Sequence, residues 1–308
     1  MFYLRAVLIS LAEFVIVYAG LRVLIGAAWR PLSRRTNPLS PSLLYLLQVG
    51  PFLLSLSVVA ALTIPSFLRL EPRFGEEELG APLIFFSALA VVMLSVGFAR
   101  ALNAIFRTSR LVRLWQNNAT AHHRCDGLHV VNTGPDSPPL AVAGLLRPNL
   151  YISSSAQTLL NADELRLAIA HEAEHIRRHD NIKKLFLRVC SVPASSIERF
   201  WLASIEVAAD VTAVRSKREA LDLASALVKA SQIAAPTPDL AMNFTMDGTE
   251  LLRIRVERLL SWESVQQRLS KRAIVSIGAA ALAAFAVLVV TYPTLLVAMH
   301  EFSEFIVR

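Results

Sequence analysis

Four long apolar runs limit what this chain can fold into more than any other feature: residues 6–29, 43–68, 81–99 and 273–299. Each can cross a hydrocarbon core about 30 Å thick as a helix, and the last three hold no Asp, Glu, Lys or Arg. With 54% hydrophobic residues over 308 positions, the chain is expected to be an integral membrane protein with room for one polar domain. The first run carries Glu13 and Arg22, which are costly facing lipid and are expected to point into a helix bundle or toward an interface. That run is longer than a signal-peptide core and no clear A-x-A site follows, so it is read as a retained span.

The net charge of +7 raises the question of nucleic acid, but much of the excess lies beside the spans. Arg30, Arg34 and Arg35 follow the first run. Arg69 and Arg73 in the second loop are outnumbered by Glu71, Glu76, Glu77 and Glu78. Arg100, Arg107, Arg110 and Arg113 follow the third run, and Arg268, Lys271 and Arg272 precede the fourth. The positive-inside bias puts both termini outside and residues from about 107 to 272 in the cytosol, with no direct nucleic-acid role. Three regions result: 1–106 with three spans, a cytosolic domain over 107–272, and 273–308 with the fourth span and a short extracellular tail. Cys125 and Cys190 fall in the cytosolic part, where reduced structural thiols are expected rather than a disulfide or zinc knuckle.

Within the polar region, LHVV from Leu128, LAVAGLL from Leu140 and NLYIS from Asn149 alternate with turn signals and predict a small sheet. His122 and His123 precede it in what reads as a polar connector, with no role assigned. From Asn161 the pattern becomes helical. Asn161 with Glu164 resembles a capping box, and Arg177 and Arg178 suit the helix end. Further helices are predicted from about Asn181 to Val192, stopping at Pro193, then from Ser195, from Arg218 and from Glu250.

The first of these helices contains HEAEH, residues 171–175. Residues four apart lie on one helical face, so His171 and His175 can reach one metal ion. Glu172, directly after the first histidine, is the carboxylate that HExxH chemistry uses as general base. Catalytic zinc commonly takes a third protein ligand, and EVAAD supplies Glu206 for it. Asp210, one turn further on the same face, can accept from a ligand imidazole. His179 is the rival third ligand, but it needs a sharp turn after His175; with IRR between them the helix is expected to continue and carry His179 away.

The run LYISSSAQTLLNADELRLAIAHEAEHIRRHDN, followed by ERFWLASIEVAAD, resembles the BlaR/MecR-type antirepressor metallopeptidases, membrane gluzincins with a zinc domain inserted between the third and fourth spans. The resemblance implies a mainly α, integral membrane fold with four transmembrane helices and an inserted α+β zincin-like domain. It implies Zn2+ held by His171, His175 and Glu206, with Glu172 and Asp210 in catalytic roles, and a protein substrate: a cytosolic transcriptional repressor, or the chain itself in a self-cleavage step. Oligomeric state is left open. The chain ends nine residues after the fourth run, without the extracellular penicillin-binding sensor domain of the best-known members.

Competing readings stand beside these. An HtpX-like housekeeping membrane protease shares HExxH and ExxxD, although its spans are usually arranged differently about the motif. A non-catalytic receptor module is a second alternative, against which Glu172 speaks. Glu174 is expected to form a surface pair with Arg177 or Arg178 worth only tenths of a kcal/mol. Arg255 and Arg258 are candidates for stabilising an oxyanion, with a charged surface face as the favoured explanation. The sheet edge around Ala141 to Gly144 is a place where an extended peptide could add as a strand, or simply sheet core.

Overall fold

A computed structural model describes residues 2–33, 40–71, 79–125, 128–190, 196–233, 248–262 and 271–307, without the side chains of 123, 125, 248, 271–286, 288 and 289. The loop residues Arg34, Arg35, Arg73, Glu76, Glu77, Glu78 and Arg268, with Pro193 and Ser195, lie outside that set, as do the side chains of Cys125, Lys271 and Arg272. The chain divides into two compact units, Met1–Thr36 with Val49–Val96 and Val265–Arg308, and Asn37–Gln48 with Gly97–Ser264.

In the first unit, helix α1 (Phe2–Leu32) is followed by α2 (Pro41–Val58), a π-turn (Val59–Thr63) and α3 (Ile64–Leu70), which form one helical stretch. Helix α4 (Ala81–Asn117) comes next. These are three stretches long and apolar enough to cross a membrane among the described residues. The fourth apolar run lies within α11 (Lys271–Val307), much of whose side-chain set falls outside the described residues.

The π-turn has a local cause. Pro65 lacks the N–H that would bond the carbonyl of Ala61, and Tyr292 Oη on α11 donates to that carbonyl instead, at 2.8 Å. Glu13 is fully buried: Ser303 Oγ donates to its Oε1 at 2.6 Å and Thr63 Oγ1 donates to Oε2. Its carboxylate points into the bundle, where hydroxyls replace the water it has lost.

In the second unit, α4 leads into a four-stranded sheet in the order β1-β2-β4-β3. The strands are β1 (Ala119–Cys125), β2 (Leu128–Thr133), β3 (Leu140–Ala143) and β4 (Asn149–Ser153). The central pair β2–β4 is parallel and both outer pairs are antiparallel. The stretch with His122 and His123 is therefore strand β1, not a connector; its polar residues suit an edge strand paired on one side only. Alternation along the strands gives the sheet two apolar faces. Val130, Val142, Leu150 and Ile152 pack with Ala156 and Leu160 on one face, while Val131, Ala141, Ala143 and Tyr151 meet Trp115 of α4 on the other.

After the short α5 (Ser154–Leu159) come α6 (Ala162–Arg177), α7 (Asp180–Cys190), α8 (Ser196–Ala213), α9 (Lys217–Ala230) and α10 (Gly248–Leu260). Helix α6 begins with a complete capping box between Asn161 and Glu164. Glu164 also accepts from Lys229 at 2.7 Å and Ser225 at 2.6 Å, so one carboxylate both caps α6 and fixes α9 to it. Leu167 of α6 is buried with Leu223 of α9 and Leu259 of α10, which seats α6 between the sheet and the later helices. Helices α4 and α7 approach closely enough that a Cβ on Gly97 would lie 2.6 Å from the Val189 carbonyl oxygen.

Candidate metal centre

Helix α6 does not run on past the HEAEH motif. It ends at Arg177, and His179 adopts φ 56°, a left-handed conformation costly for a residue with a Cβ. The expectation of a continuing helix is corrected here, and the physical result is specific: the chain reverses and starts α7 at Asp180. His179 is exposed, its Nδ1 3.0 Å from the Ile176 carbonyl, and it is not among the clustered metal-type donors.

The reversal brings Asp180, 1% exposed, back beneath His175, with Oδ2 2.8 Å from Nδ1. On α8, Asp210 Oδ1 lies 2.9 Å from Nδ1 of His171. Each imidazole thus has a carboxylate on its Nδ1, which fixes the tautomer and turns Nε2 away from that partner. The two Nε2 atoms lie 3.2 Å apart, and Glu206 Oε2 and Oε1 are each 3.5 Å from one of them. All three ligand-type atoms fall within 4.8 Å of one another.

These spacings fit a metal. Ligand atoms about 2.0–2.2 Å from a tetrahedral ion stand roughly 3.3–3.5 Å from each other. The donor chemistry fits as well: two imidazoles and one carboxylate, backed by second carboxylates, form a set suited to a borderline divalent cation such as Zn2+.

Charge in the site is balanced closely. Burial works against the charged form of His175, but Glu206 and Asp180 outweigh it and push its pKa up to about 10. His171 moves in the same direction, as Asp210 and Glu206 overcome burial and the nearby Arg255. Glu206 would be raised by burial, yet the two imidazoles and Arg255 hold it well below the carboxylate range; Asp210 and Asp180 are lowered by Arg255 and His175 respectively against the same penalty. The pocket is therefore built for more positive charge than Arg255 alone supplies, and a divalent cation can take the place of the imidazole protons.

Arg255 corrects a second expectation. Instead of lying on a charged surface face, it is 7% exposed, donating through Nε to Asp210 Oδ2 at 2.8 Å and through Nη2 to Oδ1 at 2.7 Å. Its Nη1 is 3.2 Å from Glu206 Oε2. The apolar periodicity of α10 gave no sign of this, because one arginine on an otherwise buried stripe looks like any charged position. Asp180 was missed for a different reason: at five residues after His175 it would leave the ligand face of a continuous helix, and only the turn at His179 returns it.

Glu174 is also buried, at 5% exposure, rather than a surface residue. It pairs with Arg177 at 2.6 Å and with Arg178, which donates onward to Thr212 Oγ1 at 3.1 Å on α8. The pair therefore ties the ligand-bearing helices α6 and α8 together.

Glu172 is half-buried and, with His171, His175 and Glu206, lines a cavity of about 610 Å³. Its walls are otherwise largely apolar, including Leu140 and Val142 of β3, Leu227 of α9 and Leu252 of α10. β3 is the terminal strand of the sheet, although Asn181 Nδ2 already donates to the carbonyls of Val142 and Gly144, at 3.4 and 3.2 Å. Cys190 is a buried thiol outside any disulfide, and burial pushes its pKa up to about 12.

Comparison with curated proteins finds no match. A family model described as BlaR1 peptidase M56 matches residues 79–259, which include both HEAEH and EVAAD. Since that match covers more than half of the chain, the protein belongs to the BlaR1 peptidase M56 family, whose membership implies a membrane metallopeptidase.

Proposed function

We propose that this chain is a zinc metalloendopeptidase that cleaves a protein substrate, a transcriptional repressor or its own chain, in a signalling pathway. The observation that carries the reading is the convergence of two Nε2 atoms and one carboxylate beside a glutamate that lines the same cavity. In this reading His171, His175 and Glu206 hold the ion, Glu172 is the general base, and Asp210 and Asp180 orient the two imidazoles. When bound, zinc supplies Lewis-acid polarisation of the scissile carbonyl and of the attacking water. Glu172 takes a proton from that water and delivers it to the departing amine. Arg255 holds Asp210 and the Oε2 of Glu206 that faces His171, so the ligand set keeps its shape as charge develops.

The free side of β3 near Leu140 and Ala141 would receive an extended peptide by strand addition, with apolar side chains entering the cavity. Asn181 restricts that docking to the first part of the strand unless its amide swings away. Four spans, with the domain over 107–272 in the cytosol and both termini outside, complete the proposal; the arginine bias around the apolar runs and the 37-residue length of α11 support it.

Co-expression with a candidate cytosolic repressor tests the function. Wild type should yield cleaved repressor, while Glu172→Gln should cut the rate by about 10²–10⁴-fold with bound zinc retained. Unaltered processing by Glu172→Gln would reject the hydrolase and leave a receptor module.

A further inference from the structure

The first unit contains another imidazole–carboxylate cluster. His300 and Glu304, four apart on α11, share a helical face, and Glu71 closes α3 opposite them. One ligand-type atom from each lies within 4.8 Å of the others.

Two features separate this cluster from an ordinary ion-pair network. The Nδ1 of His300 is buried and has no hydrogen-bond partner among the described residues, while facing Glu71 Oε2 across 4.0 Å. Where imidazoles in this protein hydrogen-bond to carboxylates, the gap is 2.8–2.9 Å; where they face a shared point, it is 3.5 Å. A gap of 4.0 Å exceeds hydrogen-bond reach but can be bridged by an ion about 2.0–2.2 Å from each atom. The second feature is Arg5, whose Nη1 is 3.1 Å from Glu71 Oε1. It occupies one oxygen and leaves the other, Oε2, facing His300.

We infer that Glu71, His300 and Glu304 form a second divalent-cation site, tying the end of α3 to α11. One imidazole with two carboxylates selects a first-row cation of the zinc or manganese type over calcium or magnesium. The site stands on this geometry alone. Only the further step, that the cation comes from outside the cell, rests on the orientation proposed above.

Counting metal on the full-length chain in detergent tests it. After stripping with EDTA, equilibration with Zn2+ and desalting, wild type should retain two equivalents by elemental analysis. His300→Ala or Glu304→Gln should retain one, His175→Ala one, and His175→Ala with His300→Ala none. A single equivalent in wild type, all of it lost in His175→Ala, overturns the inference. If His300→Ala unfolds the helices, as circular dichroism would reveal, His175→Ala decides alone: one equivalent removable by EDTA supports the second site and none rejects it. Failure of the first centre looks different, since His175→Ala would then leave the count unchanged while Glu304→Gln lowered it.

Discussion

Arg255 neutralises Asp210 and Glu206 from a position screened from water, so its removal leaves two buried carboxylates without their cation. Breaking such a pair costs about 3–5 kcal/mol, and Arg255→Met should lower the denaturation midpoint accordingly. Arg255→Lys should recover only part of this, because an ammonium cannot make the two parallel contacts to Asp210. Asp180 offers a milder case. Asp180→Asn keeps the shape but removes the charge behind His175, and zinc affinity measured by chelator competition should fall about 10–100-fold. A change below two-fold would remove Asp180 from the centre. Neither residue was legible in the sequence as part of the site: a buried charge is indistinguishable from an exposed one until its neighbours are known.

Among the elements, the break between α6 and α7 decides where Asp180 goes. A β-branched residue at φ 56° costs of order 1–3 kcal/mol, so His179→Val should destabilise the chain and also weaken zinc binding by moving Asp180. His179→Gly, which tolerates that backbone, should leave zinc affinity intact. At the other end of α6, burial alone would raise the Glu164 pKa, but Lys229, Ser225 and the Asn161 backbone hold it below the usual carboxylate value. A carboxylate depressed in this way stabilises the fold fully above its unfolded pKa of about 4.3 and loses that contribution as pH falls through the folded value. Urea unfolding should therefore show wild type losing more stability than Glu164→Gln between pH 6 and pH 3. The capping box itself was readable, since Asn161 and Glu164 are three apart before an apolar stripe. The ion pair to Lys229, sixty-five positions away, was not.

For the molecule as a whole, a cation joining α6 to α8 should act as a cross-link. Free zinc about 100-fold above its dissociation constant stabilises by about 2.7 kcal/mol, so EDTA should lower the melting temperature of the second unit and Glu206→Gln should abolish that difference. The apolar runs, the three strands from Leu128 onward and the HEAEH–EVAAD pairing follow from local order: spans need length, strands need alternation, and ligands on a helix need spacing of four. The sequence by itself determined the membrane character, the helices that carry His171, His175 and Glu206, and the family resemblance that the match over 79–259 supports. Tertiary structure alone decided that Arg255 and Glu174 are buried, that Asp180 returns beneath His175, that His122 and His123 join a strand, and that Glu71 meets His300. Each of these depends on contacts between segments distant in sequence or on a backbone reversal at a residue that does not favour one, and neither leaves a periodic trace in the order of amino acids.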